Sequence, residues 1–248
     1  MSEETQRSLG LRNLKVNRNE YLRRIDGLIY GEDPRQGYVE NSVFYHPELK
    51  FQFPVPNGWA VHNSPSQVQM APSDGKALMV FTLSSESTLD ASAQAMTEQL
   101  QLTVLESQRT TVNGNSSIVM VSDLPASQDQ SGQQVAGARV LTYLIQKGSM
   151  IYVFHGLSEQ RDFNAYNSTF KRTMTRFDDL TDSSKLNVEP IRIKIQTVKR
   201  TGTLQDALRN LGVATADMEE LSIVNGMLLS DNVQGGMLIK TFSRQYNR

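Results

Sequence analysis

The feature that most constrains this chain is a strand-like pattern that extends over residues 44–182. Phe51, Phe53 and Val55 alternate with polar residues, and the apolar run 77–83 has the length of a buried central strand. Successive side chains of a strand point to opposite faces, so such segments must pair in a sheet that buries at least one face. The pattern therefore predicts a sheet domain.

Two helical patterns interrupt these strands. Residues 89–106 follow the candidate cap Ser87–Thr88 and carry apolar side chains on one helix face, and residues 159–177 carry aromatic residues at matching spacing. Further strands are predicted at 116–121, 138–146 and 150–156, with a hairpin turn at 147–149. Strands that pair with chain neighbours and pack against helices predict an α+β fold, an antiparallel sheet with flanking helices.

The segments on either side of this domain follow other patterns. Residues 5–30 have the three- and four-residue spacing of a helix that ends at Gly31. Residues 178–188 are polar and predict a linker, most exposed to proteolysis at 181–187. The last part predicts a small α+β unit with a strand at 191–195, helices ending at Leu208 and Val224, and a closing strand at 235–240. The predicted organisation is 1–37, 38–182 and 188–248.

Composition excludes several classes of protein. Lys and Arg total 25 against 26 Asp and Glu, and this balance argues against a nucleic-acid binder. The sequence has no run approaching the roughly 20 apolar residues that a membrane-spanning helix needs. The absence of cysteine removes disulfides, thiol nucleophiles and cysteine-based zinc sites, and leaves the redox compartment open.

The sequence offers few groups for catalysis. His46, His62 and His155 lie in unrelated contexts and lack metal-pair spacing, and no Gly-x-Ser-x-Gly elbow occurs. We therefore assign no catalytic residue, no metal ligand and no cofactor to this chain. An independent hydrolase with a dispersed site is kept as a minor alternative.

The loop Gly31–Gly37 is the polar segment that stands out. Pro34 stiffens the turn, and Asp33 and Arg35 place opposite charges on either side of it. One interpretation is a helix stop in which Arg35 pairs locally. The other is a docking surface for a neighbouring domain, with Asp33 and Arg35 as the docking residues.

The stretch Tyr21–Gly37, followed by Phe44–Leu49, resembles the segment after the catalytic domain in bacterial zinc metalloproteases of the CAAX prenyl protease and HtpX family. The family's His-Glu-x-x-His motif does not occur in this chain, so no zinc ligand is carried over. The resemblance implies that a catalytic domain, with its zinc, precedes Met1. It also implies export to the periplasm or cell envelope.

Two further resemblances concern folds. Phe51–Trp59 is similar to the opening of PsbP-like domains, in which a strand enters a Pro-x-Gly-Trp turn, and this implies an antiparallel sheet with flanking helices. The last unit resembles a degenerate LysM module, and its family implies a groove between two turns. The groove candidates are Gly202, Thr203, Leu204, Asn225, Gly226 and Met227.

The LysM-like unit departs from its family at one position. Gly202 stands where the family commonly has Asp in a Gly-Asp-Thr-Leu sequence, and Leu228 and Leu229 favour a protein contact over a sugar. We therefore expect weak glycan binding or none.

The expected function is that of an accessory, non-catalytic C-terminal region of a cell-envelope zinc metalloprotease. Its expected partners are its own protease domain and protein substrates or cell-wall glycan, with no nucleic acid and no transmembrane segment. The alternative is a stand-alone PsbP-like binding or scaffold protein with no protease.

Overall fold

The computed structural model describes residues 17–128 and 134–243. It divides into two compact units. The central unit comprises residues 34–188, and the terminal unit comprises, within the described range, residues 17–33 and 189–243. The chain therefore passes from one unit to the other after Asp33 and again after Val188.

The first described helix, α1 (Arg18–Arg24), is shorter than the sequence predicts. Residues 5–16 of the predicted helix lie outside the described part of the chain, and the prediction is wrong for residues 25–30. Ile25 has already left helical geometry, and Gly27 adopts a left-handed φ of 84° that ends the helix. The backbone beyond Gly27 then finds hydrogen-bond partners in another segment of the terminal unit.

The central unit is built from many antiparallel strands and three helices. Its strands are β1 (Tyr38–Glu40), β2 (Val43–His46), β3 (Phe51–Pro54), β4 (Trp59–Asn63), β5 (Gln67–Pro72), β6 (Ala77–Leu83), β7 (Thr103–Val112), β8 (Asn115–Leu124), β9 (Ser127–Gln128), β10 (Gln134–Val135), β11 (Ala138–Lys147), β12 (Met150–Glu159) and β13 (Asp178–Asp179). Its helices are α2 (Leu89–Gln99), α3 (Phe163–Met174) and α4 (Ser183–Leu186), and a 3-10 turn spans Pro34–Gln36. The predicted α+β fold, an antiparallel sheet with flanking helices, is confirmed.

Two sheets share this unit's core. Seven strands pair in the order β4-β5-β6-β12-β11-β8-β7, and four pair in the order β1-β2-β3-β13. One face of the large sheet packs on the small sheet and on α3 through fully buried aromatic rings, among them Phe44, Phe51, Phe53, Tyr152, Phe154, Phe170 and Phe177. The other face packs on α2 through Leu89, Ile118, Met120, Leu144, Ile151 and Val153.

The large sheet also corrects one predicted helix. The cap is as predicted, since Thr88 Oγ1 accepts a hydrogen bond from the Ala91 N–H, but α2 ends at Gln99 rather than at residue 106. Gln101 has a φ of 54°, which breaks the helix. Residues 103–112 then form the edge strand β7, which pairs with β8. Their β-branched residues suit a strand, and sheet pairing overrides the helical spacing.

Helix α3 lies close against the sheet because of one glycine. A Cβ at Gly156 of β12 would lie 2.5 Å from the ring of Phe170, so this position leaves no room for a side chain. Phe170 is fully buried and stacks on Tyr166, and Trp59 of β4 meets it edge-on at 6.2 Å between ring centroids.

Residues 178–188 are ordered by contacts within the central unit. Asp178 and Asp179 pair with β3, Leu180 is buried, and α4 is capped by the Asp182 carboxylate. Lys185 of α4 lies 2.5 Å from the Glu40 carboxylate. The predicted linker is therefore a short strand and a helical turn, and the passage to the terminal unit follows it.

The terminal unit has a small aliphatic core. Its elements besides α1 are β14 (Ile193–Thr197), β15 (Gly202–Thr203), α5 (Leu204–Asn210), α6 (Thr215–Asn225), β16 (Asn232–Val233) and β17 (Leu238–Phe242). Strand β14 pairs with β17, and β15 pairs with β16. The buried core residues are Val198, Leu204, Ala207, Leu208, Met218, Leu221, Val233 and Ile239.

The N-terminal segment adds to this unit by strand pairing. Gly27 N–H donates to the Ile193 carbonyl and Ile193 N–H donates to the Leu28 carbonyl, both at 2.8 Å. Ile29 and Arg192 form an antiparallel bridge. The Asp26 carboxylate accepts the Ile195 N–H at 2.8 Å. Residues separated by more than 160 positions in sequence thus share one sheet edge.

Candidate functional site

The candidate site is a cleft in the central unit, with a volume of about 270 Å³. It lies where the β2–β3 turn faces the β4–β5 hairpin and the end of β6. Phe51 and Phe81 are buried in its floor. The other lining residues are Gln36, His46, Glu48, Leu49, Asn63, Ser64, Pro65, Ser66, Gln67, Val68, Thr82 and Leu83. A cleft of this size accommodates a single long side chain or a small molecule.

The corner of the cleft depends on Gly37. A Cβ there would lie 2.4 Å from the Phe44 ring and 3.0 Å from Asn63 Nδ2, and the φ of 115° also favours glycine. Asn63 Nδ2 donates to the carbonyls of Gln36 and Gly37 at 3.2 and 3.1 Å. The loop before β1 is therefore fixed directly to the end of β4.

His46 lies in the wall at the end of β2. Its Nδ1 accepts the Leu49 N–H at 3.1 Å, and its ring packs 4.9 Å from the Phe51 ring. An Nδ1 that accepts a hydrogen bond leaves the proton of the neutral imidazole on Nε2. Burial lowers the pKa of His46, and nearby Glu48 partly opposes this. The imidazole is therefore neutral at pH 7 and contributes a donor.

The predicted docking residues lie at the boundary between the units. Asp33 is the last residue of the first terminal-unit segment, and Arg35 belongs to the 3-10 turn that opens the central unit. Both residues take part in interactions in the structure. The Arg35 carbonyl accepts the Glu48 N–H at 3.1 Å, which ties the turn to the cleft wall. Their role in docking a protease domain stays a prediction.

The predicted groove residues of the terminal unit largely stabilise their own fold. Thr203 caps α5 through the Asp206 N–H, and Leu204 is fully buried. Asn225 Nδ2 donates to the Leu221 and Lys240 carbonyls at 2.8 and 2.9 Å, while its Oδ1 accepts the Lys240 N–H.

The other three groove candidates are neighbours in sequence of Thr203 and Asn225. Gly202 pairs with Val233 in the β15–β16 ladder, Gly226 ends α6 in the left-handed conformation, and Met227 packs at the edge of the core. A backbone hydrogen bond joins the Leu204 N–H to the Asp231 carbonyl rather than to the 225–227 turn. Glycan binding by these six residues stays untested.

The other histidines lie apart from the cleft lining. His62 is exposed on β4. His155 Nδ1 lies 3.0 Å from Thr142 Oγ1 in the large sheet, and burial lowers the pKa of His155 to about 4. Within residues 17–128 and 134–243, no group of three or more His, Asp and Glu residues could hold a metal ion. No helix in this part of the chain is long and apolar enough to span a membrane.

Sequence reasoning treated His46 as structural and did not single out Glu48 or Asn63. The available signal was the resemblance itself, since Phe44–Leu49 was quoted for it and supplies one wall of the cleft. The hairpin that forms the opposite wall has no such signal. Only the register of β4 with β5 brings it there.

No protein-family model matches the sequence, and no curated protein matches it. Among solved structures, the chain is similar to a PsbP from the cyanobacterium Synechocystis, with 13% identity, a TM-score of 0.41, and coverage of 58% of this chain and 91% of that one. It is similar to the Ran-binding protein Mog1p of Saccharomyces cerevisiae, with 12% identity, a TM-score of 0.40, and coverage of 60% and 99%.

It is also similar to LpqN of Mycobacterium tuberculosis, which is involved in cell envelope biogenesis, with 12% identity, a TM-score of 0.36, and coverage of 66% and 98%.

Proposed function

We propose that this chain is a non-catalytic binding region, and that it serves as the accessory C-terminal part of a cell-envelope zinc metalloprotease. The observation that supports the proposal is the position of the stretch formed by residues 21–37 and 44–49, which carries the resemblance to that family. Its first part completes the terminal unit, and its second part builds one wall of the cleft in the central unit. The family-like residues thus contribute to both units.

The first part of this stretch is held firmly. Residues 27–30 pair with residues 191–193 through backbone hydrogen bonds, the Asp26 carboxylate accepts the Ile195 N–H, and Leu22 of α1 is buried. In a longer protein, the segment that leaves the catalytic domain would be anchored at this point. An anchored segment would fix the position of the terminal unit relative to the catalytic domain, whereas a flexible tether would not.

The second part supplies a place for a ligand. The cleft combines a buried aromatic floor with polar groups at its mouth, the usual composition of a recognition site. In this proposal the protease domain binds zinc and carries out catalysis, and this region recognises the protein substrate or partner. The proposed location is the periplasm or cell envelope.

The test begins with the gene upstream of the Met1 codon. We expect an in-frame catalytic domain with His-Glu-x-x-His. A genuine start codon with no protease before it would overturn the protease role and leave the scaffold alternative.

The second test measures the role of Arg35 in the full-length protein, which includes the expected catalytic domain. Arg35→Ala should change proteolytic activity while the melting temperature of the isolated 248-residue chain stays nearly constant. A loss of about 1 kcal/mol or more in the isolated chain would show that Arg35 stabilises its own fold and that the docking role is wrong.

A further inference from the structure

We propose that the cleft binds an arginine side chain presented by a peptide segment of a protein partner, with Glu48 and Asn63 as the main acceptors for its guanidinium. The proposal deepens the binding role proposed above and rests on it. It names the chemical class that the cleft selects.

The cleft has spare hydrogen-bond acceptors. Asn63 uses its NH2 group on the Gln36 and Gly37 carbonyls, and these two contacts orient Oδ1 as the remaining acceptor. The Ser64 hydroxyl donates to the Gln67 carbonyl at 2.8 Å. The Thr82 hydroxyl donates to the Ser66 carbonyl at 2.9 Å, so both hydroxyls retain only acceptor lone pairs.

The cleft carries a negative charge, which suits a cationic ligand. Glu48 is exposed and is the one formally charged residue among the described lining residues, since His46 is neutral. Within the described part of the chain, its carboxylate lies in none of the ion pairs. A carboxylate beside neutral acceptors favours a cationic ligand that brings its own donors.

Arginine fits this arrangement better than lysine does. Its guanidinium carries five donors in a plane, which can reach several separate acceptors, while a lysine ammonium concentrates three donors at one point. Its methylene stem matches the apolar rim formed by Leu49 and Leu83, the latter 43% exposed.

The experiment titrates the 248-residue chain with acetyl-Ala-Arg-Ala-amide and follows backbone amide signals by NMR. Two control peptides carry citrulline, an uncharged isostere, or lysine in place of arginine. We expect saturable shifts at Leu49, Asn63 and Gln67, and affinity about tenfold or more weaker for the citrulline peptide, because charge-assisted hydrogen bonds are the strong ones. The lysine peptide should bind between the two.

Two protein variants localise the effect. Glu48→Gln keeps the size of an exposed side chain and should weaken the arginine peptide to the level of citrulline. Glu98→Gln, an exposed carboxylate on α2, is the matched control and should bind as the parent does. The proposal is wrong if no saturable shift occurs, if citrulline binds as well as arginine, if Glu48→Gln has no effect, or if the shifts map elsewhere.

This outcome is independent of the protease question. If the chain binds arginine selectively but no catalytic domain lies upstream, the binding site stands and the protease role is wrong. If a catalytic domain lies upstream but arginine does not bind, the protease role stands and the arginine site is wrong.

Discussion

The central and terminal units stabilise themselves in different ways. The central unit buries a continuous set of aromatic rings between two sheets and α3, all drawn from residues 44–177. The terminal unit buries eight aliphatic residues from positions 198–239, and it adds the distant segment 17–33 through strand pairing and Leu22.

The difference follows from size. A unit of about 70 residues buries a smaller fraction of its surface than one of about 150, so it depends more on each added contact. The terminal unit gains such contacts from the segment that precedes the central unit. The central unit should fold from its own sequence, while the terminal unit should require both of its segments.

The largest expected effect comes from the aromatic core. Phe51→Ala removes a fully buried ring that contacts Phe44, Phe81 and Phe177, and should lower the free energy of unfolding of the central unit by about 3–5 kcal/mol. The single tryptophan, Trp59, lies in this unit, so its fluorescence in urea reports the transition. Amide exchange in β17 should be unchanged.

Leu208→Ala is the reciprocal variant. It removes a fully buried side chain of the terminal core and should increase exchange in β17, with the Trp59 transition unchanged. A shift of both units by either variant would contradict their independence.

The second prediction concerns the pH dependence of stability. Histidine titration should affect the central unit alone, because all three histidines lie in it. Burial lowers the pKa of His155 from 6.5 to about 4 in the folded state. The unfolded chain therefore binds this proton at higher pH than the folded chain, and the folded state is destabilised as pH falls from 6.5 to about 4. The loss amounts to about 3 kcal/mol.

His155→Leu should remove this part of the pH dependence, measured as the free energy of unfolding of the central unit from pH 7 to pH 4. His62→Leu, at an exposed position on β4, is the control and should keep the parent's slope. Equal slopes in all three proteins would show that His155 titrates normally.

The smallest effect tests the strand addition in the terminal unit. Asp26→Ala removes the acceptor of the Ile195 N–H and should lower the free energy of unfolding of that unit by about 1 kcal/mol. The measurement is amide exchange at Ile193 and Ile195. Glu32→Ala, an exposed carboxylate in the same segment, is the control and should fall within about 0.5 kcal/mol of the parent. If both variants lowered the free energy of unfolding equally, the effect at Asp26 would come from the loss of surface charge and not from its hydrogen bond to Ile195.

Local patterns predicted much of the central unit. The strand 77–83 was placed at its observed bounds, and the hairpin at 147–149 joins β11 to β12 as expected. The helix predicted at 159–177 is observed at Phe163–Met174, with its aromatic face buried. These features succeed because periodicity over a few residues reflects which face of one element is buried.

Prediction failed where distant partners decide the backbone. The apolar spacing of 89–106 continues past α2, but pairing with β8 makes residues 103–112 a strand. Residues 27–30 leave the predicted helix because backbone groups of residues 191–193 become their hydrogen-bond partners instead. In both places a local helical preference worth tenths of a kcal/mol per residue loses to several backbone hydrogen bonds with a distant strand.

The sequence by itself determined the α+β class, the aromatic strands of the central core and the absence of cysteine chemistry, because each depends on residue type and short-range spacing. Tertiary structure alone decided that the two ends of the described chain form one unit. It also decided that Glu48 and Asn63 line the same cleft. Those pairings join residues from about 15 to more than 160 positions apart, and they depend on strand register and sheet order, which short-range spacing does not encode.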